Sequence, residues 1–366
     1  MTSAGEFEAL LAGLSEVKPS AGLQERSPLH RIGVVGAGPL GQALACECLA
    51  AEREVTLYTA FEPERSALVR PGAVTVRGEH LVGSYRVAES PSSAPAISLR
   101  TGIDDEVGEL DAVFIATPAI THGTYAGLLA GRLQAKQLLV LVPGRPFGAV
   151  EVARSLRRFA ARSLPTIVEV AHPPYRVESS EPGALTVAGV EAEVPAAALP
   201  NRSTGEAVQR LGAILPMLAP AHGILETSFA DRCGVIDVPP ALLRDSSAVA
   251  RRIDDERRRV AFAYGVRDLP PAPPQANPAP TLDLGDARIH DALCCSLVPL
   301  VSAGDLAGIP VRTAAALVDL GSVLLDLDFA RHGRSLPALG LDRFSPDEIR
   351  RALDGGDASL LEQALA

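Results

Sequence analysis

The chain has 366 residues, a formal net charge of −10 at pH 7 and 47% apolar residues. This length suffices for two domains that each bury a core, and the acidic balance argues against nucleic acid or an anionic membrane as a main partner. No apolar run approaches the roughly 18–20 residues of a membrane span, and residues 1–20 lack the features of a secretory signal. We therefore expect a cytoplasmic protein.

The cysteines give a second exclusion. They form no CxxC pair and no metal-ligand spacing, which predicts buried reduced thiols and no metal site. The five residues are Cys46, Cys48, Cys233, Cys294 and Cys295.

A glycine-rich turn follows an N-terminal extension predicted over residues 1–28. The apolar run from Ile32 to Val35 leads through three glycines into an alanine-rich helix, and a second strand follows over residues 54–59. In a dinucleotide site the first glycine permits a tight turn, the second lets the backbone approach a pyrophosphate, and the third allows close helix packing. The helix N-terminus offers free N–H groups to the phosphates. The predicted cofactor-binding residues of this turn are Gly36, Gly38, Pro39, Leu40 and Gly41.

The end of the second strand bears on the choice of cofactor. An acidic residue there would bind the ribose 2′-hydroxyl of NAD. Thr59 occupies this place instead, and Arg65 and Arg70 follow. The missing acid and the two arginines favour NADPH over NADH.

The chain then continues with alternating strands and helices. Residues 72–90 have the pattern of a hairpin, and residues 111–133 and 137–159 each read as a buried strand, a turn and a helix. Further strands are predicted over residues 165–170 and 184–190. This succession predicts a parallel sheet with crossover helices.

From about residue 203 the apolar period becomes helical, as in "STGEAVQRLGAILPML" and "SSAVARRIDDERRRVAFAYGV". A Pro-rich connector lies at residues 268–286. We predict an α/β Rossmann-type doubly wound domain over residues 29–202 and a mostly α-helical substrate domain over residues 203–366.

The order of these motifs resembles the octopine/nopaline (opine) dehydrogenase family from about residue 30 to 353. "VVGAGPLGQALA" resembles the family's nucleotide loop, and "DAVFIATPAITHGTYA" and "LVLVPGRPFGAVEVARSL" resemble its next two strand-loop-helix units. "VEVAHPPY" is similar to its A-E-T-x-x-x-P-Y segment at Glu169, Pro174 and Tyr175. In the helical half, "VARRIDDERRRVAFAYGV" and "SLVPLVSAGDLAGIPVRTAAALVDLGSVLL" resemble the D-x-E-R and G-L-V-P stretches.

The resemblance implies an enzyme that joins the amine of an amino acid to a 2-oxo acid and reduces the imine with a nicotinamide cofactor. It also implies that the substrates lie in a cleft between the two domains. The expected partners are these small molecules, with no nucleic acid and no membrane, and a homodimer is one assembly that the sequence allows.

Two departures from the family concern the catalytic residues. The stretch matching the family's N-P-x-x-H-P-P-like motif reads "CGVIDVPP", so Asp237 stands where the catalytic histidine would fall. The acidic pair before the G-L-V-P-like stretch is represented by His290 and Asp291. Asp237, with a pKa raised in a cleft, or His290, oriented by Asp291, could handle the proton. Alternatively, Asp237 hydrogen-bonds a turn and His290 is a surface residue at a helix start.

The turns after the strands carry further candidates. His122 matches a family position, and we expect it to shape the cofactor pocket with Thr117 and Pro118, although a structural role is equally open. His172 lies on the same carboxyl edge of the sheet, where ligands of doubly wound folds bind.

Substrate carboxylates call for guanidinium groups. Arg145 in "PGRPFG" and Arg176, which follows Tyr175, are the predicted carboxylate-binding residues, with Tyr175 beside them. The alternative is that either arginine is merely solvated.

Three functions remain open from the sequence. The first is an NADPH-preferring opine-type reductase, and the second is a reductase of one keto or imino acid without condensation. The third is a nucleotide-binding protein without catalysis, because the family's histidine is missing.

Overall fold

The computed structural model describes residues 28–78, 80–89, 94–159, 161, 163–181, 183–243, 246–273 and 285–366. The predicted N-terminal extension, except for residue 28, lies outside the described residues, as does most of the Pro-rich connector.

A sheet of twelve strands forms the centre of the described chain, in the order β12-β11-β8-β7-β6-β1-β2-β5-β4-β3-β10-β9. The strands β5-β2-β1-β6-β7-β8 run parallel in the doubly wound order, with the switch point between β1 and β6. The strands are β1 Arg31–Val35, β2 Glu54–Thr59, β3 Ala73–Gly78, β4 Gly83–Ala88, β5 Ile97–Thr101, β6 Ala112–Ile115, β7 Leu138–Leu141, β8 Thr166–Val170, β9 Tyr175–Glu181, β10 Ala184–Val190, β11 Val194–Leu199 and β12 Leu218–Pro220.

Helices cover both faces of this sheet and build the C-terminal region. Short 3-10 turns lie at Asp105–Glu109, Ala119–Thr121 and Asn201–Ser203, and a π-helical turn lies at Leu293–Leu297. The α-helices are α1 Pro39–Ala50, α2 Glu62–Val69, α3 His122–Leu129, α4 Gly148–Arg158, α5 Thr204–Leu211, α6 Ile224–Ala230, α7 Cys233–Ile236, α8 Val238–Leu242, α9 Ser247–Ala263, α10 Ala287–Ala292, α11 Val298–Ala307, α12 Arg312–Leu325, α13 Phe329–His332, α14 Pro346–Leu353 and α15 Ala358–Leu365.

Helix α1 is apolar on nearly all sides because it is enclosed. The parallel sheet packs on one side, and β3, β9 and β10 pack on another. Cys46 and Cys48 are buried there, and burial, the largest effect, raises the pKa of Cys48 to about 12. All five cysteines are free, as predicted.

The sheet separates two apolar cores. One contains residues of α1, α2 and α5, and the other joins α3 and α4 to the C-terminal helices. The second core is therefore shared between the sheet and the helical region, so the helical region lies over the face that carries α3 and α4. The predicted α/β fold with a helical C-terminal domain is confirmed.

The sheet continues past the predicted boundary at residue 202. Helix α5 and strand β12 were expected in the helical domain, but β12 pairs in parallel with β11, and Ala207, Val208 and Leu211 of α5 enter the core beside α1. The apolar face of α5 is covered by the sheet, and this is why the α/β unit extends to residue 220.

The segment from α10 to α11, residues 287–307, is long and apolar enough to cross a membrane by length and composition alone. However, 72% of the 18-residue apolar window within this segment is buried inside the protein. It has the burial of a core helix of the C-terminal region.

Candidate active site

The glycine-rich turn connects β1 to α1 at the switch point of the sheet. Gly36 has φ +107°, which strongly favours glycine. A Cβ on Gly41 would lie 1.8 Å from the Gly36 carbonyl oxygen, so the turn closes only with glycine there. Both residues are explained by the fold alone.

Gly38 is different, because a Cβ built on it meets nothing within 4 Å. Its φ of −65° is also open to any residue. Gly38 is the N-cap of α1, and Pro39 takes the first helical position, where a missing N–H costs nothing. The space above Gly38 is where a pyrophosphate would approach the helix N-terminus, so the turn fits a dinucleotide.

An acidic side chain lies at the end of β2 after all. The Thr59 hydroxyl donates to a carboxylate oxygen of Glu64, in the first turn of α2, at 2.5 Å. Arg65 is bound to Glu62 through Nε and Nη2 and also pairs with Glu89. The residue at the end of β2 is therefore a threonine, as predicted, but the helix following the strand brings the carboxylate of Glu64 to it.

The turn after β6 holds the three other predicted cofactor residues. Pro118 caps the 3-10 turn, and the Thr121 hydroxyl donates to the Thr117 hydroxyl at 2.8 Å. His122 is fully buried, with Nε2 3.1 Å from the Thr117 carbonyl oxygen. Burial, followed by the charge of Arg334, lowers the pKa of His122 to about 4. A neutral, enclosed His122 stabilises this turn, and the structural alternative is favoured.

Arg145, on the turn after β7, is buried and has two carboxylate partners. Its Nη1 donates to Asp231 and its Nε to Asp291, each at 3.0 Å. Asp291 also accepts the backbone N–H of Ile120, in the turn after β6, at 3.0 Å. This ion triad joins the sheet to the helical region, and the predicted role of Arg145 in binding substrate carboxylates is not supported because its partners occupy it.

The same turn has an unusual backbone. Arg145 and Phe147 both have left-handed φ values, near +60°, which cost about 1–2 kcal/mol each. Arg334 stabilises the turn by donating to the Gly144 and Pro146 carbonyl oxygens at 3.0 Å. The Phe147 N–H donates to Ser228 at 2.9 Å. Contacts from the C-terminal region therefore hold the turn in place.

Asp237 lies close to this triad, at the end of α7. Burial is the largest effect on Asp237 and raises the pKa of its carboxyl, while the charges of Arg145 and Arg288 oppose the shift. The neighbouring Cys233 thiol is hydrogen-bonded to Asp237, and burial also raises the pKa of the thiol. Asp237 can therefore remain protonated closer to neutral pH than an ordinary aspartate.

His290 and Asp291 do not form the predicted pair. His290 is half-buried and packs edge-on against Phe329, with ring centroids 5.7 Å apart, while both oxygens of Asp291 bind Arg145 and Ile120. The two residues are consecutive on helix α10, so their side chains diverge.

The comparisons with known proteins concern the chain as a whole. No family model matches the chain. An opine dehydrogenase from Arthrobacter sp. (strain 1C) is 27% identical over 363 residues, covering 88% of this chain and 98% of that protein. The chain is thus similar to an opine dehydrogenase over most of its length.

Two solved structures of this family share the fold. Octopine dehydrogenase with NADH and pyruvate has a TM-score of 0.65 at 15% identity, covering 87% of this chain and 97% of that one. Yersinopine dehydrogenase with NADP+ has a TM-score of 0.64 at 13% identity, covering 92% and 99%. At these identities the two comparisons show that the chain shares the fold of these enzymes.

Two predicted substrate residues of this chain lie away from the triad. Tyr175 is buried at the start of β9, where its ring stacks on His80 near α1. Arg176 is exposed on β9 and donates to the Ala188 carbonyl oxygen at 2.9 Å. Both expectations are corrected, because β9 crosses to the far edge of the sheet instead of continuing beside β8.

Glu169, matched in the sequence only as part of a motif, supports the turn after β7. It is fully buried and accepts hydrogen bonds from the Ala149 N–H and from the hydroxyls of Thr227 and Ser228, at 2.8–3.0 Å. Burial, the largest effect, raises its pKa to about 7. Glu169 therefore orders the residues on which the triad is built.

Sequence reasoning missed several residues of the site. Asp231 lies six residues before Asp237 in the segment next to the matched motif, so that resemblance could have pointed to it. Arg232 follows Asp231 in the same segment, whereas Arg334 carries no sequence signal, because its contacts join segments that are distant along the chain.

Proposed function

We propose that this protein is an opine dehydrogenase, which joins an amino acid or another amine to a 2-oxo acid and reduces the resulting imine. The observation that carries the proposal is the buried carboxyl of Asp237, which interacts electrostatically with Arg145, on a turn at the same carboxyl edge of the sheet as the dinucleotide turn. A buried carboxyl group and the glycine-rich turn thus lie at the same edge of the sheet. The Arthrobacter relative is named an opine dehydrogenase, which is the activity proposed here.

The chain's own residues have distinct roles in this proposal. The turn at residues 36–41 holds the nicotinamide cofactor, which supplies the hydride when bound. Asp237 handles the proton: condensation of an amine with a 2-oxo acid gives a carbinolamine, whose hydroxyl must be protonated before it leaves as water. A carboxyl group with a raised pKa is suited to give that proton and to recover one from the incoming ammonium.

The test is a requirement for two substrates. Oxidation of NADH or NADPH is followed by absorbance with a 2-oxo acid, with an amine, and with both. We expect turnover only with both. Turnover with the oxo acid alone would indicate a simple keto acid reductase, and cofactor binding without turnover on any pair would indicate a non-catalytic protein.

The catalytic residue is tested by Asp237→Asn with His290→Ala as its matched comparison. We expect Asp237→Asn to lose turnover by about 10²- to 10⁴-fold, the usual contribution of a positioned acid, and His290→Ala to stay close to the parent. Binding of the cofactor, measured by fluorescence, should be retained in both. Normal turnover of Asp237→Asn would contradict this assignment.

The preference for NADPH stays a prediction. A 2′-phosphate would have to take Arg65 from Glu62 and Glu89, and it would approach the Glu64 carboxylate. Arg70 is exposed and could assist. Cytoplasmic localisation and a homodimer are also predictions.

A further inference from the structure

We propose that Arg232, oriented by His172, binds the carboxylate of the 2-oxo acid. This inference rests on the proposed function and adds the subsite that positions one of its two substrates.

Arg232 lies between the residues of the candidate site. It directly precedes Cys233 at the start of α7, and it directly follows Asp231, which binds Arg145. Its Nη2 donates to Nε2 of His172, in the turn after β8, at 3.0 Å. Arg232 therefore bridges the helical region and the carboxyl edge of the sheet, where the substrate of a doubly wound enzyme binds.

The guanidinium of Arg232 has donors to spare. Its hydrogen bonds within the described part of the chain, to His172 and to Glu191, both use Nη2. Its side chain is 22% exposed. Within the described residues, neither its Nε nor its Nη1 is a buried atom without a hydrogen-bond partner. A carboxylate that takes the place of Glu191 would bind Nη2 together with a neighbouring nitrogen, in the side-by-side geometry of arginine–carboxylate pairs.

The other arginines around the site are committed to the protein. Arg145 is held by two aspartates, and Arg334 by backbone carbonyl oxygens and Glu151. Arg257 is buried against Asp254 and the Phe229 and Pro270 carbonyl oxygens, and Arg288 binds Asp286 through two nitrogens. Within the described chain, Arg232 is the cation of this region best able to meet an incoming anion.

His172 acts as a positioning residue. Burial, followed by the charge of Arg232, lowers the pKa of His172, so the ring is neutral and Nε2 can accept from the guanidinium. The second partner, Glu191, is 3.5 Å away and half exposed. An exposed pair at this distance is weak, so a substrate carboxylate can replace Glu191 without breaking the contact to His172.

The experiment compares Arg232→Gln with Arg176→Gln, which removes an exposed arginine on the remote strand β9. Steady-state kinetics with pyruvate and an amine give separate KM values for the two substrates. We expect Arg232→Gln to raise the KM for pyruvate about 10- to 100-fold, as for loss of hydrogen bonds to a charged group, and to leave the KM for the amine and the Kd of the cofactor within about twofold. Arg176→Gln should leave all three unchanged.

Two further variants and one binding measurement complete the test. His172→Gln keeps an acceptor for Arg232 and should resemble the parent, whereas His172→Ala should raise the KM for pyruvate. Binding of oxalate to the cofactor-loaded protein, measured by calorimetry, should weaken in Arg232→Gln and persist in Arg176→Gln.

The outcomes separate the two proposals. Oxalate binding that depends on Arg232, without turnover on any pair of substrates, would contradict the proposed function and support the carboxylate subsite. Turnover with an unchanged KM for pyruvate in Arg232→Gln would overturn the subsite alone. An increase of the same size in Arg176→Gln would also overturn it, since a remote charge would then have the same effect.

Discussion

Replacement of Arg145 by methionine tests whether the ion triad holds the helical region on the sheet. The side chains of Asp231 and Asp291 are only 2% and 4% exposed, and Arg145→Met would leave both carboxylates buried without their cation. Removing one partner of a buried ion pair typically costs about 3–5 kcal/mol. The left-handed backbone at position 145 contributes little to the difference, because arginine and methionine both carry a Cβ.

The assay is urea unfolding, with the free energy of unfolding taken from midpoint and slope. The matched control is Arg258→Met, which removes a 44% exposed arginine paired with Asp255 at 3.2 Å and should cost less than about 1 kcal/mol. The triple variant Arg145→Met, Asp231→Asn, Asp291→Asn removes all three charges. The amide oxygen at position 291 can still accept the Ile120 N–H. This variant should therefore recover more than half of the stability that Arg145→Met loses. If Arg145→Met costs no more than Arg258→Met, or the triple variant is no more stable than the single one, the argument from buried charge is wrong.

Three more predictions follow from the structure. Gly38→Val should abolish cofactor binding and lower the melting temperature by no more than a few degrees, because a Cβ at this helix N-cap meets no protein atom within 4 Å. Gly205→Ala, at a similarly open position on α5, should preserve cofactor binding and folding. Calorimetry and thermal unfolding check this, and normal binding by Gly38→Val would place the cofactor elsewhere. Glu169 has a folded-state pKa raised to about 7, so the stability linked to its protonation is fully present below its ordinary pKa, near 4.5, and is lost as the pH rises through about 7. The parent should therefore lose stability between pH 5 and pH 8, and this loss should exceed that of Glu169→Gln by up to about 3 kcal/mol in the free energy of unfolding. An equal pH dependence in the two proteins would refute the effect. Glu64→Gln removes the carboxylate at the end of β2. It should raise the ratio of kcat/KM for NADPH to kcat/KM for NADH by about tenfold, because repulsion of the 2′-phosphate falls by roughly 1.4 kcal/mol. No change in the ratio would show that Glu64 lies outside the ribose subsite.

Local patterns in the sequence sufficed for the first half of the fold. The run from Ile32 to Val35 is completely buried because it crosses the middle of a parallel sheet, and it reads as a strand without any knowledge of its neighbours. The turn after it depends on Gly36 and Gly41, whose backbone demands are met within a few residues. The hairpin predicted over residues 72–90 was found as β3 and β4 for the same reason. Such features depend on backbone geometry and on the period of burial, and both can be predicted from glycine positions and from the pattern of apolar residues.

The site depended on contacts that no local pattern encodes. Arg145 meets Asp231 and Asp291, which are 86 and 146 residues away along the chain, and Arg232 meets His172 at a separation of 60 residues. Spacing and periodicity identify which side chains reach the carboxyl edge of the sheet, but not which charges neutralise one another there. The tertiary structure alone placed Arg145 inside an ion triad and moved Tyr175 and Arg176 to a remote strand, because packing of distant segments decides which charged groups share one buried volume.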